Sequence, residues 1–292
     1  MARNGNLQGA LLMTGGMAAF AVSDACMKRL GAEVPLFQAM ALRGVGVTAA
    51  LSLLAWRQGA SWRLAGAADR RRMGLRALAE MGTAWTYLQA ILLMPIANVS
   101  AIFQASPLAI TLAGALVLGE RVGRLRWAGV AIGFAGVLVI LRPGGDGWGW
   151  PSLLVLASVV MVTGRDLVSR RVSPEVPSVL VAAVTAAGVT GFAFAGGAFV
   201  AWRPLSGTGL AVLLLAQGAL LLGYLGVVAG MRSGEVSFVA PFRYASLLAS
   251  LGTGWLLFGT FPAPLTLLGA GVVVAGGLLV LLSAGRDDPQ GA

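Results

Sequence analysis

Ten apolar stretches, each of about the length that crosses a lipid bilayer, follow one another along this sequence with short connections between them. A helix that spans the hydrocarbon core needs about 20 mostly apolar residues. Only 11% of the 292 residues are charged, against about a quarter in soluble domains. The pattern therefore predicts an all-α integral membrane protein with ten transmembrane helices. We place them near residues 7–27, 34–56, 75–94, 98–118, 125–141, 150–169, 177–201, 208–230, 236–258 and 264–284.

Lys and Arg residues are unevenly distributed among the connections. The two termini and the even-numbered connections carry fourteen of them, and the odd-numbered connections carry four. Connections rich in Lys and Arg stay in the cytoplasm. We therefore predict a multi-pass inner-membrane protein with both termini cytoplasmic. The net charge of +10 follows from the same residues, so we expect no nucleic acid partner.

One charged string occurs twice. Residues 24–35 read DACMKRLGAEVP, and residues 166–177 read DLVSRRVSPEVP, 142 residues later. Tyr87 and Tyr224 extend the match at an offset of 137 residues. Further matches in the same order are 98–100 with 235–237, 118–120 with 258–260, Gly129 with Gly269, and Gly136 with Gly276. A fixed order at a nearly constant offset indicates an internal repeat.

Five segments separate the two copies, so the second copy enters the membrane from the opposite face. This predicts two inverted five-helix repeats, residues 1–145 and 146–292, around a central cavity. Inverted repeats are typical of secondary transporters, in which a site near the midplane opens to each side in turn. Asp24 is expected near the outer end of its helix and Asp166 near the inner end of its own.

Residues 98–141 resemble the EamA domain of the drug/metabolite transporter superfamily. The features are the Pro-Leu of the fourth segment, the "LGE" that follows it, and the glycine-rich fifth segment. The second copy, residues 236–282, diverges, with Thr260 in place of the Glu and Tyr244 at the position of Pro107. The resemblance implies a ten-helix exporter with segments 1–4 and 6–9 around the cavity. Exporters of this superfamily include YddG-type carriers of aromatic amino acids, and others move sugars, nucleotides or cations.

The fourth and ninth segments carry polar stripes that we interpret as cavity walls. Pro107 deprives a helix carbonyl of its donor, which bends the helix or presents that oxygen to the cavity. The alternative is that small polar residues only permit close helix packing. The stripes comprise Ser100, Gln104, Pro107 and Thr111 in the fourth segment, and Ser237, Pro241 and Tyr244 beside Arg243, Ser246, Ser250 and Thr253 in the ninth.

Three arginines lie within apolar segments, namely Arg43, Arg165 and Arg243. A guanidinium buried there is costly, and we interpret Arg43 and Arg243 as candidate site residues. Arg243 suits the carboxylate of an amino acid; the alternative is pairing with Glu235, Asp166 or backbone carbonyls. Arg43 has Thr185 as its repeat equivalent, and two interpretations of it stay open: a role in the cavity or an internal ion pair.

Aromatic residues lie near these positions in the sequence. Tyr87 and Tyr224 are equivalent and well inside their segments, which favours an aromatic-lined cavity over packing or interfacial anchoring. The neighbouring aromatics are Trp85, Phe103, Phe238 and Phe242.

Four carboxylates are candidates for gating or ion pairing: Asp24, Glu80, Asp166 and Glu235. They lie nearer the membrane interfaces than the helix centres. At the interfaces we expect them to pair with Lys28, Arg76 or Arg170. We therefore favour an uncoupled or weakly coupled exporter. One face of the fifth segment carries Gly129, Gly133 and Gly136. We expect this face to pack against another helix of the monomer, and the alternative is that it forms a dimer contact.

We predict an exporter of amino acids, aromatic or other neutral ones among them, or of related small metabolites. The expected binding residues are Arg43, Thr83, Tyr87, Ser100, Phe103, Gln104, Pro107, Tyr224, Pro241, Arg243 and Tyr244. We expect no catalytic residue, cofactor or metal, because there is no His and only one Cys. The partners would be a small-molecule substrate and the bilayer, with the protein a monomer or homodimer.

Two alternatives differ in substrate or in class. The first is a drug or nucleotide-sugar carrier of the same superfamily. The second is an integral membrane enzyme such as a lipid transferase, which should show clustered Asp, His or Ser at a membrane face.

Overall fold

The computed structural model describes residues 2–62, 65–117, 119–120, 122–142, 149–233 and 235–283, which form helices and turns. The helices are α1 (Ala2–Leu30), α2 (Leu36–Arg57), α3 (Ala67–Leu93), α4 (Ile96–Phe103), α5 (Ser106–Val117), α6 (Arg124–Leu141), α7 (Trp150–Ser169), α8 (Ser178–Gly197), α9 (Gly207–Ser233), α10 (Val236–Val239), α11 (Ala245–Phe258) and α12 (Pro264–Ser283). A 3₁₀ turn, Ala240–Tyr244, joins α10 to α11. Helices α4 and α5 form the fourth predicted segment, and α10, the turn and α11 form the ninth. The prediction of ten helical segments is confirmed.

The outer surface of the bundle is apolar. Eight of the described helical segments are long and apolar enough to cross a membrane. Many large apolar side chains point outward and are exposed, among them Leu116, Val160 and Leu256. Such a surface would be unstable in water, whereas lipid tails solvate it. The chain is therefore a multi-pass membrane protein.

The repeated string forms the end of one helix and the start of the next in both copies. Helix α1 ends at Leu30, and α2 begins directly after Pro35. Helix α7 ends at Ser169, and α8 begins directly after Pro177. Both prolines are N-cap residues in an extended conformation, with φ values of −56° and −59°, and neither has an amide hydrogen that needs a partner.

Helix pairs follow the two-fold relation of inverted repeats. Helix α1 packs against α9, and their counterparts α7 and α3 pack against each other. Helices α2 and α8, which are counterparts, contact each other directly, as do α6 and α12. Thr48 and Thr190, 142 residues apart, share a hydrogen bond of 2.9 Å between their hydroxyls. The two inverted five-helix repeats therefore meet along a shared axis.

The crossing of α6 and α12 depends on glycine. A Cβ atom at Gly129 would lie 2.8 Å from the carbonyl oxygen of Gly276, and one at Gly136 would lie 2.8 Å from that of Gly269. These distances leave no room for a side chain, so the backbones touch. The glycine face of α6 therefore packs within the monomer, which is the first of the two predicted roles.

The turns that end α5 and α11 are also equivalent. Gly119 and Gly259 have φ values of +69° and +63°, a region that favours glycine. The next amide in each case donates a hydrogen bond back to a glycine carbonyl, Glu120 to Gly114 at 3.1 Å and Thr260 to Gly254 at 3.2 Å. The expected repeat boundary at residue 145 lies outside the described residues.

Candidate central binding cavity

Both polar stripes lie on interrupted segments. Helix α4 ends at Phe103 and α5 begins at Ser106. Pro107 has no amide hydrogen, so the Phe103 carbonyl cannot receive the bond it would receive in a continuous helix. Pro241 lies in the 3₁₀ turn that interrupts the ninth segment at the equivalent place. Interrupted helices expose backbone groups where they line a cavity, and in transporters they mark the binding site.

A cavity of about 370 Å³ lies between these interruptions and helices α1, α2, α3, α7, α8 and α9. This volume is in the usual range for small-molecule sites, about 300–1,000 Å³. Of the residues predicted for binding or gating, those that line it are Asp24, Arg43, Glu80, Thr83, Tyr87, Ser100, Phe103, Gln104, Pro107, Asp166, Tyr224 and Arg243.

Three predicted residues lie outside the cavity lining. The side chain of Tyr244 is buried against Gly277 of α12. Pro241 precedes it in the turn, and Glu235 is exposed, with its amide donating to Asn6 Oδ1 at 2.8 Å. The predicted stripe assumed an α-helix, whereas a 3₁₀ turn has about 3.0 residues per turn. The tighter winding places Arg243 in the cavity and directs Tyr244 to α12.

One polar cluster lies near the end of the cavity formed by the α1–α2 connection. The Tyr87 hydroxyl donates to Asp24 Oδ2 at 3.0 Å. Arg43 is 8% exposed and donates to the Ser23 hydroxyl at 3.4 Å, and Ser23 donates to the Ala216 carbonyl at 2.9 Å. Arg43 forms no salt bridge with any described residue. It lines the cavity and interacts electrostatically with Asp24, so both of its predicted roles stay open.

A second cluster is centred on Arg165, near the opposite end. Its guanidinium binds Glu80 at 2.6 Å and Asp166 at 2.7 Å. Arg76 donates to the hydroxyls of Ser169 and Thr185. Arg165 was not among the predicted site residues. The signal was available, because it is an arginine within an apolar segment beside a predicted carboxylate.

The expected ion-pair partners of the carboxylates are therefore wrong. Lys28 donates to the carbonyls of Ile91 and Met94, both at 2.7 Å, at the end of α3. Arg170 pairs with Glu120 at 2.9 Å on the surface. Sequence separation alone gave no way to see that α3 and α7 pack side by side and bring Glu80 to Arg165.

Two donors in the cavity have no hydrogen-bond partner within the described part of the chain. The Arg243 side chain forms no hydrogen bond or salt bridge with a described residue, and it is exposed because it faces the cavity. Gln104 is 9% exposed, and its buried amide nitrogen has no hydrogen-bond partner. An unsatisfied buried donor lowers the stability of the protein by about 1–3 kcal/mol. A ligand that accepts a hydrogen bond from it recovers that free energy on binding.

Aromatic rings lie on both sides of these polar groups. Tyr87 and Phe103 have ring centroids 4.8 Å apart, and Phe20 and Tyr224 have centroids 5.3 Å apart. All four line the cavity, and Phe20 was not predicted. Phe238 and Phe242, which were expected nearby, pack against each other outside it.

The cavity is open toward the arginine-rich face, which carries the connections after α2, α5, α7 and α9. There it meets a second pocket of about 410 Å³ beside the α7–α8 connection, and both are lined by Arg76, Asp166, Thr185 and Tyr224. We call this second pocket the vestibule.

The opposite face is closed. Leu30, Ile91 and Ile96 are each at most 1% exposed. The amide of Gln38 donates to the Arg203 carbonyl at 2.6 Å and accepts from the Arg203 amide at 2.9 Å, which ties α2 to the α8–α9 connection.

Inverted repeats, interrupted helices and a charged cavity are together typical of membrane transporters. Comparison with known proteins agrees. Residues 7–142 match the model of the EamA-like transporter family. The chain is 31% identical to the riboflavin transporter of Rhizobium johnstonii over 220 residues, 74% of this chain and 71% of that protein. The chain belongs to the EamA-like transporter family, within the drug/metabolite transporter superfamily.

Other relatives differ in cargo and direction. The chain is 27% identical to the pseudopaline exporter CntI of Pseudomonas aeruginosa over 94% of both proteins. It is 24% identical to the S-adenosylmethionine uptake transporter of Rickettsia felis, over 69% of this chain and 67% of that protein. A solved crystal structure matches 95% of this chain and 98% of its own, with a TM-score of 0.67 and 24% identity, which shows the fold alone. The protein is thus a small-molecule transporter.

Proposed function

We propose that the protein exports a small zwitterionic metabolite, an amino acid or a derivative that keeps a free carboxylate and carries an apolar or aromatic part. The observation behind this proposal is the free guanidinium of Arg243 in a cavity with aromatic walls. The two repeats, residues 1–145 and 146–292, would rock about their shared axis.

The charge pattern favours a carboxylate at Arg243. Arg165 is neutralised by Glu80 and Asp166, so it has little attraction left for an anion. Arg243 forms no salt bridge with any residue that the structure describes, and a guanidinium binds a carboxylate through two parallel hydrogen bonds. The Gln104 amide supplies a further donor on the same cavity.

The remaining walls suit the rest of such a molecule. The Tyr87–Phe103 and Phe20–Tyr224 pairs offer ring faces and edges to an apolar or aromatic part. Asp24 accepts from Tyr87 through Oδ2 and interacts electrostatically with Arg43, and its other oxygen is the acceptor that we assign to an ammonium group.

A second candidate is a planar heteroaromatic compound of the riboflavin type. It is favoured by the relatives named as riboflavin transporters, including one from Vibrio cholerae that is 30% identical over 62% of this chain. The same aromatic pairs would stack on such a ring system, but a neutral ring system leaves Arg243 without its counter-ion.

The direction and location are part of the proposal. The arginine-rich face would be cytoplasmic by the distribution of basic residues, and both termini would lie on that side of the inner membrane. The vestibule then opens to the cytoplasm, as an exporter requires for loading. The relatives include an exporter and an uptake transporter, so family membership alone leaves the direction open.

Efflux from proteoliposomes tests this proposal. Vesicles loaded with one labelled compound at a time, from a panel of amino acids, amino acid amides and riboflavin, should release those with a free carboxylate and an apolar side chain. Empty vesicles give the background. Release of riboflavin with no release of any amino acid would replace the first candidate by the second.

A further inference from the structure

Two aspartate–tyrosine pairs occupy equivalent positions in the two repeats, and only one of them is joined. Asp24 corresponds to Asp166 and Tyr87 to Tyr224 by the repeat offsets of 142 and 137 residues. The Tyr87 hydroxyl donates to Asp24 at 3.0 Å. The Tyr224 hydroxyl forms no hydrogen bond with a described residue, although both Tyr224 and Asp166 line the cavity and the vestibule.

The hydrogen bond of a pair is formed at the closed end of the cavity and absent at the open end. The joined pair links α1 to α3 at the closed face, where the side chains around it are buried. The separated pair lies on α7 and α9, between which the vestibule reaches the arginine-rich face. One end is thus closed with its hydrogen bond formed, and the other is open with its hydrogen bond absent.

A sequence difference between the repeats favours the state described here over the exchanged one. At the offset that relates the two aspartates, Ser23 corresponds to Arg165. Arg165 binds Asp166 through two nitrogens, at 2.7 and 2.8 Å, and holds its Oδ1. Ser23 donates to the Ala216 carbonyl instead and leaves Asp24 free to accept from Tyr87.

We propose that the two pairs are gates whose hydrogen bonds form alternately. In the exchanged state the Tyr224 hydroxyl donates to Asp166 and closes the arginine-rich face, while Tyr87 and Asp24 separate. The proposal rests on the proposed function, because inverted repeats that exchange conformations give each repeat the contacts of the other. It assigns a gating role to the hydroxyl of Tyr224, in addition to the packing of its ring.

The chain provides the variants and their control. It has three tyrosines, and the third, Tyr244, is buried against α12 away from the cavity. Each Tyr→Phe change removes one hydroxyl and keeps the ring. A hydrogen bond to a carboxylate shifts an equilibrium by about tenfold or more, so loss of one gate should measurably change the population of the state that it stabilises.

Thiol labelling reports that population without a substrate. The single cysteine is replaced, Cys26→Ser, and a reporter is placed in the vestibule wall, Ala182→Cys. Purified protein in nanodiscs, with both faces accessible, is treated with a polar maleimide. Tyr87→Phe should slow labelling, because it weakens the closed end of the state described here. Tyr224→Phe should leave labelling at the parental rate or raise it. The double variant should label faster than Tyr87→Phe alone, and Tyr244→Phe should label like the parent.

Cross-linking supplies a second measurement if a variant folds poorly. Asp166→Cys with Tyr224→Cys, in the Cys26→Ser background, should be joined by a short bifunctional maleimide, and adding Tyr87→Phe should increase the yield. A linker is needed because a tyrosine hydroxyl that reaches a carboxylate leaves the two Cα atoms farther apart than the roughly 7 Å that a disulfide spans. Equal labelling of all variants, or a double variant as slow as Tyr87→Phe alone, overturns the gate. So does an equal cross-link yield in both backgrounds. Neither measurement uses a substrate, so a failed efflux panel would count against the proposed function and leave the gate result standing.

Discussion

At the scale of single residues, two buried glutamines show how the same side chain is used in two ways. Gln38 is 3% exposed, and both ends of its amide bond the backbone of Arg203. Gln104 is 9% exposed, and its amide nitrogen has no partner. A satisfied buried amide stabilises the fold, whereas an unsatisfied one costs free energy unless a ligand binds it.

Gln104→Leu should therefore raise the thermal midpoint of the purified protein and weaken substrate affinity by about tenfold, since one hydrogen bond to a charged acceptor is worth roughly 1.5–3 kcal/mol. Gln38→Leu is the matched control and should lower the thermal midpoint. The midpoints are read in detergent and the affinity from transport kinetics. Destabilisation by both changes would mean that Gln104 is satisfied in the native protein.

Two arginine–glutamate salt bridges near the C-terminal end of α7 differ in burial and should differ in their contribution to stability. Arg165 has a side chain 20% exposed, and its partner Glu80 is 14% exposed. Arg170 and Glu120 are 50% and 46% exposed. Removing one partner of a buried pair leaves an uncompensated charge, whereas an exposed pair contributes little.

Arg165→Ala should thus lower the thermal midpoint clearly. The free energy of unfolding should fall by on the order of 3 kcal/mol, or somewhat less because the side chain is partly exposed. Arg170→Ala should lower the free energy of unfolding by less than about 1 kcal/mol. Thermal unfolding of both variants in the same detergent gives the comparison. Similar midpoints for the two would argue against a structural role for the Arg165 cluster.

At the scale of helices, spacing and proline placement could be predicted and local winding could not. The positions of Pro35 and Pro177 predicted where α2 and α8 begin. Pro241 marks the interruption at residues 240–244 but does not fix its 3₁₀ winding, which depends on how the turn packs against α1 and α12. The stripe was predicted as one face of an α-helix, whereas the structure directs Tyr244 to α12 and Arg243 to the cavity.

The α6–α12 crossing offers a direct test of helix packing. Gly129→Ala places a methyl group 2.8 Å from a backbone oxygen that cannot rotate away, so the helices must separate. Gly271, in the middle of α12, has nothing within 4 Å of an added Cβ. Gly129→Ala should lower the thermal midpoint. Gly271→Ala should leave it unchanged or raise it, with a gain in the free energy of unfolding of up to about 1 kcal/mol. Equal midpoints would show that the crossing is looser than described.

At the scale of the whole molecule, the repeat predicted the architecture but not the state. Equivalent residues such as Tyr87 and Tyr224 showed that two inverted copies exist. Which end is open depends on residues that differ between the copies, as at Ser23 and Arg165, and on contacts between segments distant in sequence. The central claim of this account is that the cavity carries a substrate whose carboxylate binds Arg243.

That claim is tested most directly by comparing an amino acid released in the efflux panel with its amide, which lacks the negative charge. In wild-type protein the free acid should bind more tightly than the amide. Arg243→Ala should weaken binding of the free acid by about tenfold or more, because a charge-assisted pair is lost, and leave the amide unchanged. Arg171→Ala, an exposed arginine outside the cavity, should behave like wild type. Undiminished preference for the free acid in Arg243→Ala would contradict the account.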